Sequence, residues 1–187
     1  MGEHRCPWWL GYLLASPLRR LLQDPAEIVQ PYVRPGMTVL EPGPGMGFFT
    51  LEIARQVGPS GHVIAVDVQP RMIAGLKRRL QKRGIEKRVD ARVSSEDSLG
   101  LVDLQGTVDF TLAMAVVHEM PSPGWFFRQA AAATKPGGAL LLAEPLGHVK
   151  PESFQAELDA AAQFGFTVLD RPAMKRVHAA LLTKSAV

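Results

Sequence analysis

Short apolar runs alternate with amphipathic segments along most of this chain. Compact runs rich in branched apolar residues are typical of buried strands, whereas apolar residues spaced three and four positions apart are typical of helices that cover a sheet. The pattern predicts strands at 37–41, 62–67, 89–93, 108–114, 139–144, 166–169 and 177–183. It predicts helices at about 24–33, 46–57, 69–83, 123–134 and 151–164.

The order of these elements predicts the fold class. Strands that alternate with crossover helices form a mostly parallel sheet with helices on both faces. No helix separates the last two strands, so we expect them to form an antiparallel hairpin. The prediction is an α/β fold, a Rossmann-like three-layer sandwich whose seven-stranded sheet is mostly parallel and has an antiparallel last strand. With 187 residues and no linker-like run, the chain is expected to be a single domain, 1–187.

The amino-acid composition indicates in which compartment the protein works and which kinds of partner are not expected. Cys6 is the only cysteine, which excludes an internal disulfide and favours the reducing cytoplasm. The apolar run at 8–15 is too short to span a bilayer, so no membrane association is expected. Residues 71–92 carry nine basic and two acidic side chains. The apolar stripe within this segment favours a solvated helix face, and a nucleic-acid partner is not expected.

A glycine-rich turn follows the first predicted strand. Residues Glu41–Gly47 read Glu-Pro-Gly-Pro-Gly-Met-Gly. Glycines accept positive φ and let the backbone approach a ligand closely, and a turn at this edge of a parallel sheet lies where ligands bind. Asp67 ends the second strand, where a carboxylate could accept hydrogen bonds from both ribose hydroxyls. Each feature alone could be structural, but together they favour a ligand that contains adenosine.

The same residues resemble the class I S-adenosylmethionine-dependent methyltransferases. Val39–Gly47 matches the first motif of that family, Val63–Asp67 its second-strand motif, and Lys135–Gly138 its turn before the fifth strand. The resemblance implies S-adenosylmethionine as cofactor and S-adenosylhomocysteine as product. It also implies a set of cofactor-binding residues, namely Glu41, Gly43, Gly45, Gly47, Asp67, Val68, Ser95, Glu96 and Ala115. Within this set, the glycines would line the methionine half and Asp67 the ribose.

The assignment of Ser95 departs from the family pattern, and the assignment of Ala115 rests on its position alone. Ser95 stands where many members have an aspartate that contacts adenine, so that contact could pass to Ser95 or Glu96. Ala115 ends the fourth strand, which by the resemblance should run beside the sulfonium and its methyl group.

Candidate catalytic residues follow the fourth and fifth strands. His118, Glu144 and His148 stand just beyond two strands that are expected to be neighbours. A histidine titrates near neutral pH and a carboxylate can tune it, so His118 is the candidate general base. The alternatives are a structural hydrogen bond between loops, or a metal site formed by the three residues.

The predicted function is methyl transfer to a small-molecule acceptor by in-line displacement. In this interpretation residues 1–23, with Trp8, Trp9 and Tyr12, could form a lid over the acceptor pocket. One alternative is an enzyme that modifies RNA or protein through the basic segment 71–92. Another is a protein that binds S-adenosylmethionine without catalysis.

Overall fold

The computed structural model describes residues 23–186. They lie in two compact units, one that ends at Gly100 and one that begins at Leu101. The predicted lid lies outside the described residues except for Gln23. Among the residues that are described, none of the helices combines the length and the apolar character needed to cross a membrane.

The first unit is a three-stranded parallel sheet with helices packed on it. Its elements are α1 (Pro25–Val29), β1 (Thr38–Pro42), α2 (Thr50–Val57), β2 (His62–Asp67), α3 (Pro70–Arg83) and β3 (Val89–Val93). The strand order is β3-β2-β1, and both pairings are parallel. The Asp24 side chain accepts a hydrogen bond from the Ala26 N–H and caps α1, with Pro25 at the first helical position.

Two helix boundaries in this unit differ by four residues from the predicted ones. Helix α2 begins at Thr50, not Met46, because Gly45 and Gly47 have φ values of +53° and +86°, which a right-handed helix does not accommodate. Helix α1 ends at Val29, four residues before the predicted end, and the chain continues as turns.

The second unit contains four strands and two main helices. Its elements are β4 (Val108–Met114), α4 (Pro123–Ala133), β5 (Thr134–Pro145), α5 (Pro151–Gln163), β6 (Phe166–Asp170) and β7 (Val177–Lys184). The strand order is β4-β5-β7-β6. Strand β7 is antiparallel to both of its neighbours, while β4 and β5 are parallel.

Strand β5 begins five residues earlier than predicted. Thr134 pairs with Val108, but the next pair joins Ala139 to Phe110, so β5 has three more residues than β4 across this interval. The segment Lys135–Gly138, predicted as a turn, is thus a bulge inside the strand, and Gly137 has a φ of +75° there. Seven strands are present among residues 23–186, and the predicted Rossmann-like α/β class with a reversed last strand is confirmed.

Candidate functional site

The glycine-rich turn leaves the end of β1 in a conformation that requires glycine. Gly43, Gly45 and Gly47 all have positive φ values, of +65°, +53° and +86°. The Gly43 N–H donates to the Val66 carbonyl at 2.9 Å, which ties the turn to β2. A Cβ at Gly45 would meet nothing within 4 Å, so the backbone there borders open space that a ligand can enter.

Asp67 holds this turn against the end of β2. Its Oδ2 accepts a hydrogen bond from the Gly45 N–H at 3.3 Å, and its Oδ1 accepts one from the Gln69 N–H at 2.8 Å. Burial raises the pKa of Asp67 to about 6, and these two hydrogen bonds offset part of the rise. Asp67 is therefore mainly ionised at neutral pH, which leaves both of its oxygens as hydrogen-bond acceptors.

Glu41 is a second buried acid at the same edge of this unit. It lies on β1, two residues before Gly43, and is 3% exposed. Burial is the main cause that raises its pKa to about 7; repulsion from Asp67 adds to the rise and interactions with Thr50 offset part of it. Its Oε2 has no hydrogen-bond partner among the described residues. A buried carboxyl with one unpaired oxygen beside an open turn fits a site built for a ligand with positive charge.

The loop after β3 reaches the same edge. The Ser94 N–H donates to the Asp67 carbonyl at 3.0 Å, and the Ser95 N–H donates to the Ser98 carbonyl at 3.1 Å. Ser95 and Glu96 are exposed, while Val68 is half-buried next to Asp67. The structure thus brings the candidate cofactor residues of the first unit to one edge. Their contacts with the cofactor stay predictions.

Glu144 organises the candidate catalytic residues of the second unit. Its side chain is fully buried at the end of β5. The Oε1 atom accepts hydrogen bonds from the N–H groups of Val116 and Val117 at 3.2 and 2.8 Å. The Oε2 atom is hydrogen-bonded to Nδ1 of His118. One carboxylate therefore fixes both the backbone after β4 and the orientation of the histidine ring.

The hydrogen bond with Glu144 raises the pKa of His118, and the charges of Glu144, Glu119 and Glu157 act in the same direction, against the effect of burial. The His118 side chain is 17% exposed, and its Nε2 lies 4.0 Å from a carboxylate oxygen of Glu119. Because Glu144 occupies Nδ1, Nε2 is the nitrogen left to exchange a proton with a ligand.

His148 completes the cluster predicted from the sequence. Its ring packs edge-on against that of His118, with centroids 5.8 Å apart, and the residue is exposed. The structure therefore brings His118, Glu144 and His148 together. Within residues 23–186, no group of three or more His, Cys, Asp or Glu side chains is arranged to hold a metal ion.

Sequence reasoning missed two features of the second unit. Ala115, the residue after β4, has a φ of +54°, a conformation that is costly for a residue with a Cβ. Its N–H donates to the Ala143 carbonyl at 2.7 Å, which holds it there. Glu157 on α5 is 3% exposed, and its position among the apolar residues of that helix was the available signal. Backbone strain at Ala115 marks a position adjacent to candidate functional residues.

We expect Ala115→Gly to stabilise the protein by about 1 kcal/mol, because glycine adopts a positive φ without the Cβ clash. Urea unfolding measures the change. Ala113→Gly, in the extended part of β4, is the matched control and should destabilise the protein. A loss of stability in Ala115→Gly would show that Ala115 is not strained.

The comparisons with known proteins agree with this geometry. Residues 34–176 match a family model described as a methyltransferase domain. The chain belongs to this methyltransferase family. The predicted resemblance to class I S-adenosylmethionine-dependent enzymes is thereby confirmed, and S-adenosylmethionine is the cofactor, with S-adenosylhomocysteine as product.

The methyltransferase chain is similar to proteins of several activities. A solved S-adenosylmethionine-dependent methyltransferase from Aquifex aeolicus is 25% identical with a TM-score of 0.83, and the match covers 96% of this chain and 98% of that one. The arsenite methyltransferase of Halobacterium salinarum is 33% identical over 110 residues, which are 59% of this chain and 27% of that protein.

A second curated relative has a different acceptor. The ubiquinone/menaquinone biosynthesis C-methyltransferase UbiE of Pasteurella multocida is 30% identical over 112 residues, which are 60% of this chain and 41% of that protein. The matches span well under half the length of these two relatives. Both relatives are named as methyltransferases, while the acceptors that their names indicate differ.

Proposed function

We propose that this protein transfers the methyl group of S-adenosylmethionine to a small molecule that must lose a proton on methylation, with His118 as the general base. The observation that carries this proposal is the pairing of His118 with the fully buried carboxylate of Glu144. A histidine that is oriented by a buried acid and still partly exposed is suited to proton transfer at neutral pH.

The residues of the first unit fit the cofactor. Gly43, Gly45 and Gly47 would admit its methionine half, and Asp67 would accept hydrogen bonds from its ribose. Glu41 adds a second acid near a group that carries positive charge. When bound, S-adenosylmethionine supplies a methyl group that is already activated by the sulfonium, so the protein mainly aligns the acceptor and takes up its proton.

The hydrogen-bonding pattern around His118 defines its proposed step. With Nδ1 bonded to Glu144, the free Nε2 takes the acceptor's proton as the methyl is transferred, and the buried carboxylate stabilises the imidazolium that forms. Only neutral His118 can act in this way. Because Glu144 raises the pKa of His118, the rate should increase with pH until the histidine is mostly deprotonated.

A small acceptor agrees with the limited access to His118, whose side chain is 17% exposed. The named acceptors or products of the arsenite and quinone relatives are small molecules as well. The test is release of S-adenosylhomocysteine, followed by mass spectrometry, with phenols, thiols, amines and arsenite, and with RNA and protein as comparisons. Turnover confined to RNA or protein would refute the small-molecule proposal.

We expect Asp67→Asn to weaken binding of S-adenosylhomocysteine by about 10- to 100-fold, because hydrogen bonds to a charged group each contribute about 1.5–3 kcal/mol. Isothermal titration calorimetry measures the dissociation constant. Asp103→Asn makes the same change at an exposed position and should leave binding unaltered. Equal affinity in Asp67→Asn and the unaltered protein would remove Asp67 from the cofactor site.

The basic segment supports a second candidate, modification of RNA or protein. In the structure Lys77, Lys82, Arg83 and Lys87 are all exposed on α3 and the turn after it. Binding of RNA through this segment would weaken steeply as salt is raised. A protein that only binds S-adenosylmethionine would instead show no turnover with any acceptor. A cytoplasmic location, favoured by the single cysteine, stays part of the proposal.

A further inference from the structure

Glu157 occupies a core position of helix α5. The buried residues of this helix are Phe154, Glu157, Leu158 and Ala161, which follow the spacing of a single helix face. Glu157 is 3% exposed, and its Oε2 has no hydrogen-bond partner among the described residues. Ionising a carboxyl in such a buried position costs free energy. We therefore expect Glu157 either to be protonated or to have a specific role.

The contacts of α5 place Glu157 near the His118–Glu144 pair. The Phe154 ring stacks on that of His178, with centroids 5.3 Å apart. His178 on β7 is in turn the register partner of Glu144 on β5. Glu157 lies three residues after Phe154 on the same face of the helix, and it is close enough to Glu144 and His118 for their charges to act on it.

The charges of Glu144, His118 and Glu157 act on one another. Glu144 accepts hydrogen bonds from the N–H groups of Val116 and Val117 and is hydrogen-bonded to His118. Burial, together with repulsion from Glu144, raises the pKa of Glu157 to about 8, and the charge of His118 offsets part of this rise. Two neighbouring buried carboxyls do not both ionise readily, so Glu157 is the one that keeps its proton at neutral pH.

We propose that Glu157 is a positioning residue that sets the proton affinity of His118 through its own protonation. While Glu157 is neutral, Glu144 alone among these buried carboxyls stabilises protonated His118. When Glu157 loses its proton at alkaline pH, a second negative charge is added and His118 holds its proton more tightly. The other titratable groups at the site are Glu119 and His148, which face His118, and His178, which faces Phe154.

This inference rests on the proposed role of His118, but its test reads protonation and does not require turnover. Long-range ¹H–¹⁵N NMR spectra of the imidazole groups are recorded from pH 5 to 10, with the His118 signal assigned by its loss in His118→Ala. In the unaltered protein we expect the His118 titration to be broadened by a second step near pH 8. In Glu157→Gln the second step should vanish and the His118 midpoint should move to lower pH.

Glu152→Gln is the matched control, since it makes the same substitution at an exposed position on the same helix and should leave the His118 titration unchanged. An identical His118 titration in Glu157→Gln and the unaltered protein would overturn the proposal. Should Glu157→Gln fail to fold, glutamate labelled with ¹³C at Cδ in the unaltered protein decides the question. A carboxyl that titrates near pH 8 and responds to His118→Ala supports the proposal, and the absence of such a signal refutes it.

Kinetics separates this inference from the proposed function. If His118 is the general base, Glu157→Gln should move the rising part of the kcat profile to lower pH. If His118 titrates as expected but His118→Ala keeps its turnover, the proposed function fails while the coupling between Glu157 and His118 stands.

Discussion

Replacing His118 with alanine is expected to lower kcat by about 10²- to 10⁴-fold, the usual contribution of a general base. Binding of S-adenosylhomocysteine should be nearly unchanged, because His118 is not among the proposed cofactor contacts. The measurement is the initial rate of S-adenosylhomocysteine release at saturating cofactor, with the acceptor that the panel identifies.

His62→Ala is the control for this change, since His62 is an exposed histidine on β2 that is remote in sequence from the proposed base. Its kcat should match that of the unaltered protein. A His118→Ala variant with undiminished kcat would mean that the acceptor needs no proton removal or that another group removes it. No turnover in any variant, with cofactor binding intact, would favour a protein that binds S-adenosylmethionine without catalysis.

We expect the free energy of unfolding to depend on pH through the buried carboxyl of Glu41. Its pKa is about 7 in the folded protein against an ordinary value of 4.5, so the folded state binds more protons than the unfolded state between these limits. The free energy of unfolding should therefore fall as pH rises from 4.5 to 7, and the loss is complete above that range. A shift of this size corresponds to about 3 kcal/mol.

Glu41→Gln should remove this dependence and make the protein more stable at pH 8, by up to about 3 kcal/mol, while the two proteins differ much less at pH 4.5. For a protein of this size the change at pH 8 is roughly 6–12 °C in Tm. Thermal unfolding of the cofactor-free protein at both pH values measures it. Glu86→Gln, at an exposed position, should show no such pH-dependent gain. A gain equal at both pH values would mean that ionisation of Glu41 is not its cause.

Much of the fold follows from local sequence patterns. The strand His62–Asp67 begins and ends where its apolar run predicts, and so do Val89–Val93 and Val108–Met114. The boundaries that differ by more than one residue from the predicted ones are the end of α1 and the beginnings of α2 and β5. Positive φ at Gly45 and Gly47 delays α2, and pairing with β4 extends β5 through a segment that resembles a turn. The spacing of apolar residues indicates neither the sign of φ at a glycine nor which strands pair with each other.

The candidate site was predictable to a similar degree. The positions of Asp67 at the end of β2 and of Glu144 near the end of β5 could each be predicted, because the apolar run of each strand ends there. The strain at Ala115 could not, since alanine has no preference for positive φ. The burial of Glu157 could not be predicted from its charge, because a glutamate on a helix is usually exposed.

The bulge at Lys135–Gly138 determines where the chain can tolerate a change in length. The bulge precedes the paired residues of β4 and β5, which run from Phe110–Ala139 to Met114–Ala143. A residue added to or removed from the bulge therefore leaves the register of these pairs unchanged. One residue inserted after Ala139 would instead turn every later side chain of β5 to the opposite face of the sheet. Glu144 would then point away from the N–H groups of Val116 and Val117. Natural variants of this protein should therefore differ in length at the bulge, and keep a constant spacing between Ala139 and Glu144.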